Sequence, residues 1–180
     1  MSLLPALITS KAVGNVTALN NWDDNVQVGL WPARENIQQI LSVTLWVGAN
    51  QINGIQTRYM MTNNSPQDSP VRGQQNGTQH VITAGANQFF VGIYGSRDND
   101  PDTPTLRRLG FLLYDQNKGD VTPSAFAGTF PPGPGTNTVG FTSLGLIVAF
   151  SGTTSATNNL DTLSVYKFQA GQEAVGVFNN

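Results

Sequence analysis

Leu41-Ser42-Val43-Thr44-Leu45-Trp46-Val47 alternates at a period of two, with Leu41, Val43, Leu45 and Val47 apolar and Ser42 and Thr44 polar between them. Trp46 is large and amphipathic. Successive side chains of a strand point to opposite faces, so this pattern reads as a sheet with one face buried. Working outward, Ile55, Tyr59 and Met61 share a face against Gln56 and Arg58, and Gly48-Ala49-Asn50-Gln51 separates the two runs as a hairpin turn. Further short strand-like runs follow at His80–Thr83, Gln88–Tyr94, Leu106–Tyr114, Leu146–Phe150, Leu163–Phe168 and Ala174–Phe178, each bounded by Gly, Asn, Asp, Ser or Pro. No window carries a sustained helical period, and the expected class is all-β. Thr62–Thr78, Asp98–Thr105 and Asp115–Thr138 read as long polar loops.

A chain of 180 residues is long enough to bury one real core, and charged residues make up only 11% of it. That is far below the roughly 25% of an average soluble protein, so the surface is built from Asn, Gln, Ser, Thr and Gly. Nine Lys plus Arg and a net charge of −2 leave no basic footprint for nucleic acid, and no long apolar run suits membrane insertion. There is no cysteine, hence no disulfide or thiolate chemistry. His80 is the only histidine, which makes a poor start for a zinc site or a serine triad. Only two glutamates, Glu35 and Glu173, accompany nine aspartates, and no spacing pairs them for hydrolysis. Asp98-Asn99-Asp100-Pro101-Asp102 lacks the Gly and Glu of a helix–loop–helix calcium site. The reading is a binding module rather than an enzyme, with neither metal nor cofactor. Met1–Ala12 has no secretory pattern, and the expected location is cytoplasmic, or outside the cell by a route without a cleaved signal.

Leu144-Gly145-Leu146-Ile147-Val148-Ala149-Phe150-Ser151-Gly152, followed by Leu160-Asp161-Thr162-Leu163-Ser164-Val165-Tyr166, resembles the closing strands of the jacalin-related lectins. Other pieces fall in that family's order: Trp22-Asp23-Asp24, the paired runs between Ile37 and Met61, Phe90-Val91-Gly92-Ile93-Tyr94-Gly95, and Arg108-Leu109-Gly110-Phe111. The resemblance spans roughly residues 13 to 168. It implies a β-prism of three four-stranded antiparallel sheets, with 1–12 as an N-terminal extension and 13–180 as the lectin domain.

The resemblance further implies a reversible, non-enzymatic sugar site. Asp161 would supply the carboxylate, Asn159 and Leu160 backbone N–H groups, and Asn158 part of the same loop. Gly14 and Asn15 would stand for an early glycine loop, and Gly95, Ser96 and Arg97 for a variable third loop. Two departures stand out: Thr157 occupies the position of the family's loop glycine, with the stretch from Ser151 to Asp161 several residues longer, and the early loop has one glycine where many members have two or more. The uncut Gly14 favours mannose- or glucose-type glycans over galactose. A carboxylate suits such ligands because it accepts two hydroxyl protons at once, in bonds stronger than neutral ones. Self-association as a homo-oligomer is expected through an exposed sheet or through Leu3, Leu4, Leu7 and Ile8. The competing reading is a β-rich structural or protein-binding module without sugar binding, supported by the lengthened loop.

Overall fold

The computed structural model describes residues 7–10, 13–14, 20–24, 28, 37–98, 105–128, 138–155 and 159–168. The chain begins with three short strands, β1 (Leu7–Thr9), β2 (Val13–Gly14) and β3 (Asn20–Asp23). A long hairpin follows, β4 (Ile37–Val47) and β5 (Ile52–Met61), then β6 (Pro66–Asp68), β7 (Arg72–Gly73) and β8 (Thr78–Thr83). The pattern returns as the hairpin β9 (Gln88–Asp98) and β10 (Leu106–Asp115), with β11 (Asp120–Pro123), β12 (Ala127–Gly128) and β13 (Thr138–Leu144). The hairpin β14 (Ile147–Thr154) and β15 (Leu160–Phe168) completes the described strands.

These strands form three antiparallel sheets, each four strand positions wide, with a hairpin at its centre. In every sheet the outer strand beside the second hairpin strand is broken into two segments: β1 and β2 on β15, β6 and β7 on β5, β11 and β12 on β10. The second and third sheets are each continuous in the chain. The first joins β1, β2 and β3 to β14 and β15, so it draws on both ends of the described chain. This is the β-prism expected from the sequence. Leu7–Thr9, read as part of an extension, is instead an outer strand paired with Tyr166–Phe168.

The alternation explains the packing. Val43, Leu45, Ile55 and Tyr59 of the second sheet, Phe90, Ile93, Leu109 and Phe111 of the third, and Phe150, Leu163 and Val165 of the first bury into one shared core. Phe111 meets Phe90 edge-on at 5.4 Å and Phe150 at 6.1 Å, joining two sheets across the axis. Such edge-to-face pairs suit the quadrupole of the rings.

Register exposes a threefold repeat. Near the turn of each hairpin the second strand carries one extra residue: Asn53 in β5, Arg107 in β10 and Asp161 in β15. The residue after each bulge pairs with a glycine of the broken outer strand, Gly54 with Gly73, Arg108 with Gly128 and Thr162 with Gly14. A second ring of bulges falls lower, at Leu41, Val91 and Val148 of the first hairpin strands. Bulges re-aim side chains and sharpen local twist, as a closed prism requires.

The motif Trp22-Asp23-Asp24 is structural. Trp22 is buried against Gly152, whose Cβ position would lie 2.8 Å from the indole. The Tyr166 hydroxyl donates to Asp23 at 2.6 Å. Asp24, 1% exposed, accepts from Arg72 at 2.8 Å and from the Tyr59 hydroxyl at 3.0 Å, and the guanidinium also lies 5.3 Å from the Trp22 ring centre. This network bolts β3 to the second sheet. Trp46 is likewise buried; Trp31 lies outside the described residues.

Candidate functional site

The corner of the first sheet is built around the β14–β15 turn. Thr154 pairs with Leu160 and Thr153 with Thr162, which leaves Asp161 as the bulged residue between them. Leu160 points into the core at 2% exposure, and Thr162 is buried with its hydroxyl 2.9 Å from that of Thr153. Asp161 is half-buried, and its carboxylate accepts no hydrogen bond from the described residues. Burial alone therefore raises its pKa above the ordinary 3.8. Gly14 sits beside it, in register with Thr162. The chain thus brings Gly14 and Asp161, far apart in sequence, to one corner.

The turn itself is tied. The Ser155 N–H donates to the Asn159 carbonyl at 2.9 Å, and the Asn159 N–H donates to Ser155 Oγ at 3.0 Å. Asn159 was expected to offer that N–H to a ligand; the structure gives it an internal partner. Ser155 was missed by sequence reasoning, because a serine in a Ser/Thr/Asn-rich loop carries no distinguishing signal. Asn15 and Asn158 lie outside the described residues.

Gly95, Ser96 and Arg97 correct another expectation. They belong to β9, paired with both β10 and β13, and form no loop. Gly95, expected in that loop, serves close approach within the sheet: a Cβ there would lie 2.1 Å from the Arg108 carbonyl oxygen. Ser96 is buried at 7% exposure, with no partner for its Oγ among the described residues.

The neighbouring second sheet touches the corner through Gly73. A Cβ on Gly73, whose φ is +89°, would lie 2.2 Å from the Asn53 carbonyl oxygen and 3.1 Å from the Leu160 nitrogen. Both obstacles are backbone, and the conformation is one that L side chains rarely adopt. Gly73→Ala is expected to cost about 2–4 kcal/mol, from strain and a displaced β15 entry. Urea unfolding checks this; a loss under about 0.5 kcal/mol, the scatter of ordinary surface substitutions, would contradict it.

Among the described residues no group of three His, Asp or Glu side chains is placed to hold a metal ion. Asp98, the first residue of the acidic run, is spent on Arg107 through Nε at 2.7 Å; residues 99 to 104 lie outside the described residues. His80 lies part-exposed in β8, facing a cleft of about 300 Å³ shared with Ser124 and Ala127.

The fold is that of the jacalin-related lectins. Single-chain recombinant jacalin superimposes with a TM-score of 0.67 at 19% identity, covering 93% of this chain and 98% of its own. Frutalin from Artocarpus incisa gives 0.66 at 19% identity, covering 94% and 100%. Artocarpin, solved in complex with methyl-α-mannose, gives 0.65 at 20% identity, covering 90% and 97%. No protein-family profile matches the sequence, and no curated protein matches it.

Proposed function

We propose that this chain is a saccharide-binding lectin that holds mannose- or glucose-type glycans reversibly at the Gly14–Asp161 corner. One observation carries the reading: a bulge lifts Asp161 out of the sheet with its carboxylate half-buried and without a donor from the described residues. Such a group lacks the donors that two vicinal sugar hydroxyls would supply. The shared prism supports the reading, as does artocarpin's complex with methyl-α-mannose at the same fold. Gly14 gives the backbone room to approach a ring closely. In this proposal Asp161 is the acceptor and Gly14 a wall; Leu160 and Ser155 hold the turn in shape.

The closed turn of Ser155 and Asn159 favours a second reading, a protein-binding module whose sugar loop has been tied off. A glycan array of the wild type beside Asp161→Ala separates the two. High-mannose glycans are expected to bind the wild type, and the folded variant none. Silence of the wild type across the array favours the protein-binding module.

A further inference from the structure

The three bulged residues occupy one position of a threefold repeat, yet their surroundings differ. Asn53 is 7% exposed, and both ends of its amide are engaged. Its Nδ2 donates to the Asn76 carbonyl at 3.0 Å and to Asn76 Oδ1 at 2.5 Å, while its Oδ1 accepts from Gln51 at 3.1 Å. Asn76 belongs to the segment after Gly73, the counterpart of the chain that follows Gly14. Its carbonyl and side chain thus close on the bulged amide of the second corner. Arg107 is closed in another way: its Nε donates to Asp98 Oδ1 at 2.7 Å, its second terminal nitrogen to Asp98 Oδ2, and the first to the Asn50 carbonyl. That last bond crosses to the next sheet's turn. A guanidinium also lacks any acceptor for a hydroxyl proton. Of the three bulged side chains, only the Asp161 carboxylate has no described partner.

We infer that each chain holds one saccharide, at Asp161, and that the two symmetry-related corners are copies shut by the chain's own side chains, the second by Asn76 and the third by the Arg107–Asp98 pair. This rests on the saccharide reading of the first corner. It gives each chain a valency of one, so multivalent capture of a glycan surface would require several chains held together.

Residue-resolved NMR tests this with ¹⁵N-labelled protein and methyl α-mannoside as the probe. One cluster of amide shifts, over Gly14 and Ser155–Thr162, is expected. A second cluster at 48–54 with 73–77, or at 106–108, overturns the single-site inference while leaving the saccharide reading intact. No shift at any amide overturns the saccharide reading itself. The double variant Asn53→Asp with Asn76→Ala removes the plug and restores a carboxylate; a second cluster at 48–54 is expected there. A variant that keeps the wild-type spectrum elsewhere but shows no second cluster overturns the assignment of Asn76 as the closure.

Discussion

Arg72→Ala is expected to lose about 3–5 kcal/mol of stability at neutral pH, because it strands the buried carboxylate of Asp24 without its cation. The expected pH dependence is more telling. In the intact protein, burial pushes the Asp24 pKa above the ordinary 3.8, with Arg72 pulling against it and Tyr59 adding a smaller pull. A carboxyl raised in the folded state binds its proton more tightly there than in the unfolded chain. Its ionised form subtracts from stability, and that penalty fades as pH falls through the folded value. Removing Arg72 removes the opposing pull, so the folded pKa rises further and the penalty begins to fade at a higher pH. Urea midpoints of Arg72→Ala should therefore recover relative to the wild type as the pH is lowered from neutrality. Asp24→Asn with Arg72→Met, which removes both charges of the buried pair, should cost less than Arg72→Ala alone. A single variant losing under about 1 kcal/mol with a flat pH profile would refute the account; a loss that small is what exposed pairs give.

Asp161→Asn should separate binding from stability. The charged acceptor becomes neutral, and one of its two oxygens becomes an amide NH2 that donates and cannot accept. Hydrogen bonds to charged groups contribute about 1.5–3 kcal/mol each, so losing two should weaken glycan binding on the order of 100-fold or more. Stability should move the other way. Burial without donors raises the Asp161 pKa, so its ionised form opposes folding and a neutral isostere relieves that cost. A melting temperature equal to or above the wild type is expected, with binding lost. By the same linkage, wild-type affinity should fall with acidification, beginning above the range of an unperturbed carboxylate, since the sugar takes the ionised form. Isothermal titration across pH 4–8 checks both statements. Unchanged affinity in the folded variant moves the site away from Asp161.

The central hairpins were legible because their alternation is strong: Leu41–Val47 falls within β4 and Leu106–Tyr114 within β10. The outer strands were not. Thr62–Thr78 reads as loop yet holds β6 and β7, and β13 follows a Gly- and Pro-rich stretch and carries Thr, Gly and Ser in a seven-residue strand. Such strands form by leaning on a neighbour already in place, so their own composition says little. Ala174–Phe178, read as a strand, lies outside the described residues. The threefold repeat escaped notice because what repeats is a bulge position, filled by Asn53, Arg107 and Asp161, three residues of unlike chemistry. Asp161 was singled out as a candidate by the resemblance of its closing motif, while the tie made by Ser155 needed coordinates.

The first sheet's reliance on both arms of the chain sets an order of events during synthesis. Residues 37–144 contain all the strands of the second and third sheets and can pair as they emerge. β1, β2 and β3 cannot, because their partners are β14 and β15; the Val165 N–H bonds Ser10 Oγ across 155 positions. At roughly 5–20 residues per second the early arm waits on the order of 8–30 s for its partners. Throughout that interval the nascent chain exposes unpaired strand edges, the state most prone to aggregate or to recruit a chaperone. A chain truncated before β15 would thus hold every strand of two sheets and no Gly14–Asp161 corner, which comes into being only when the late arm closes over the early one.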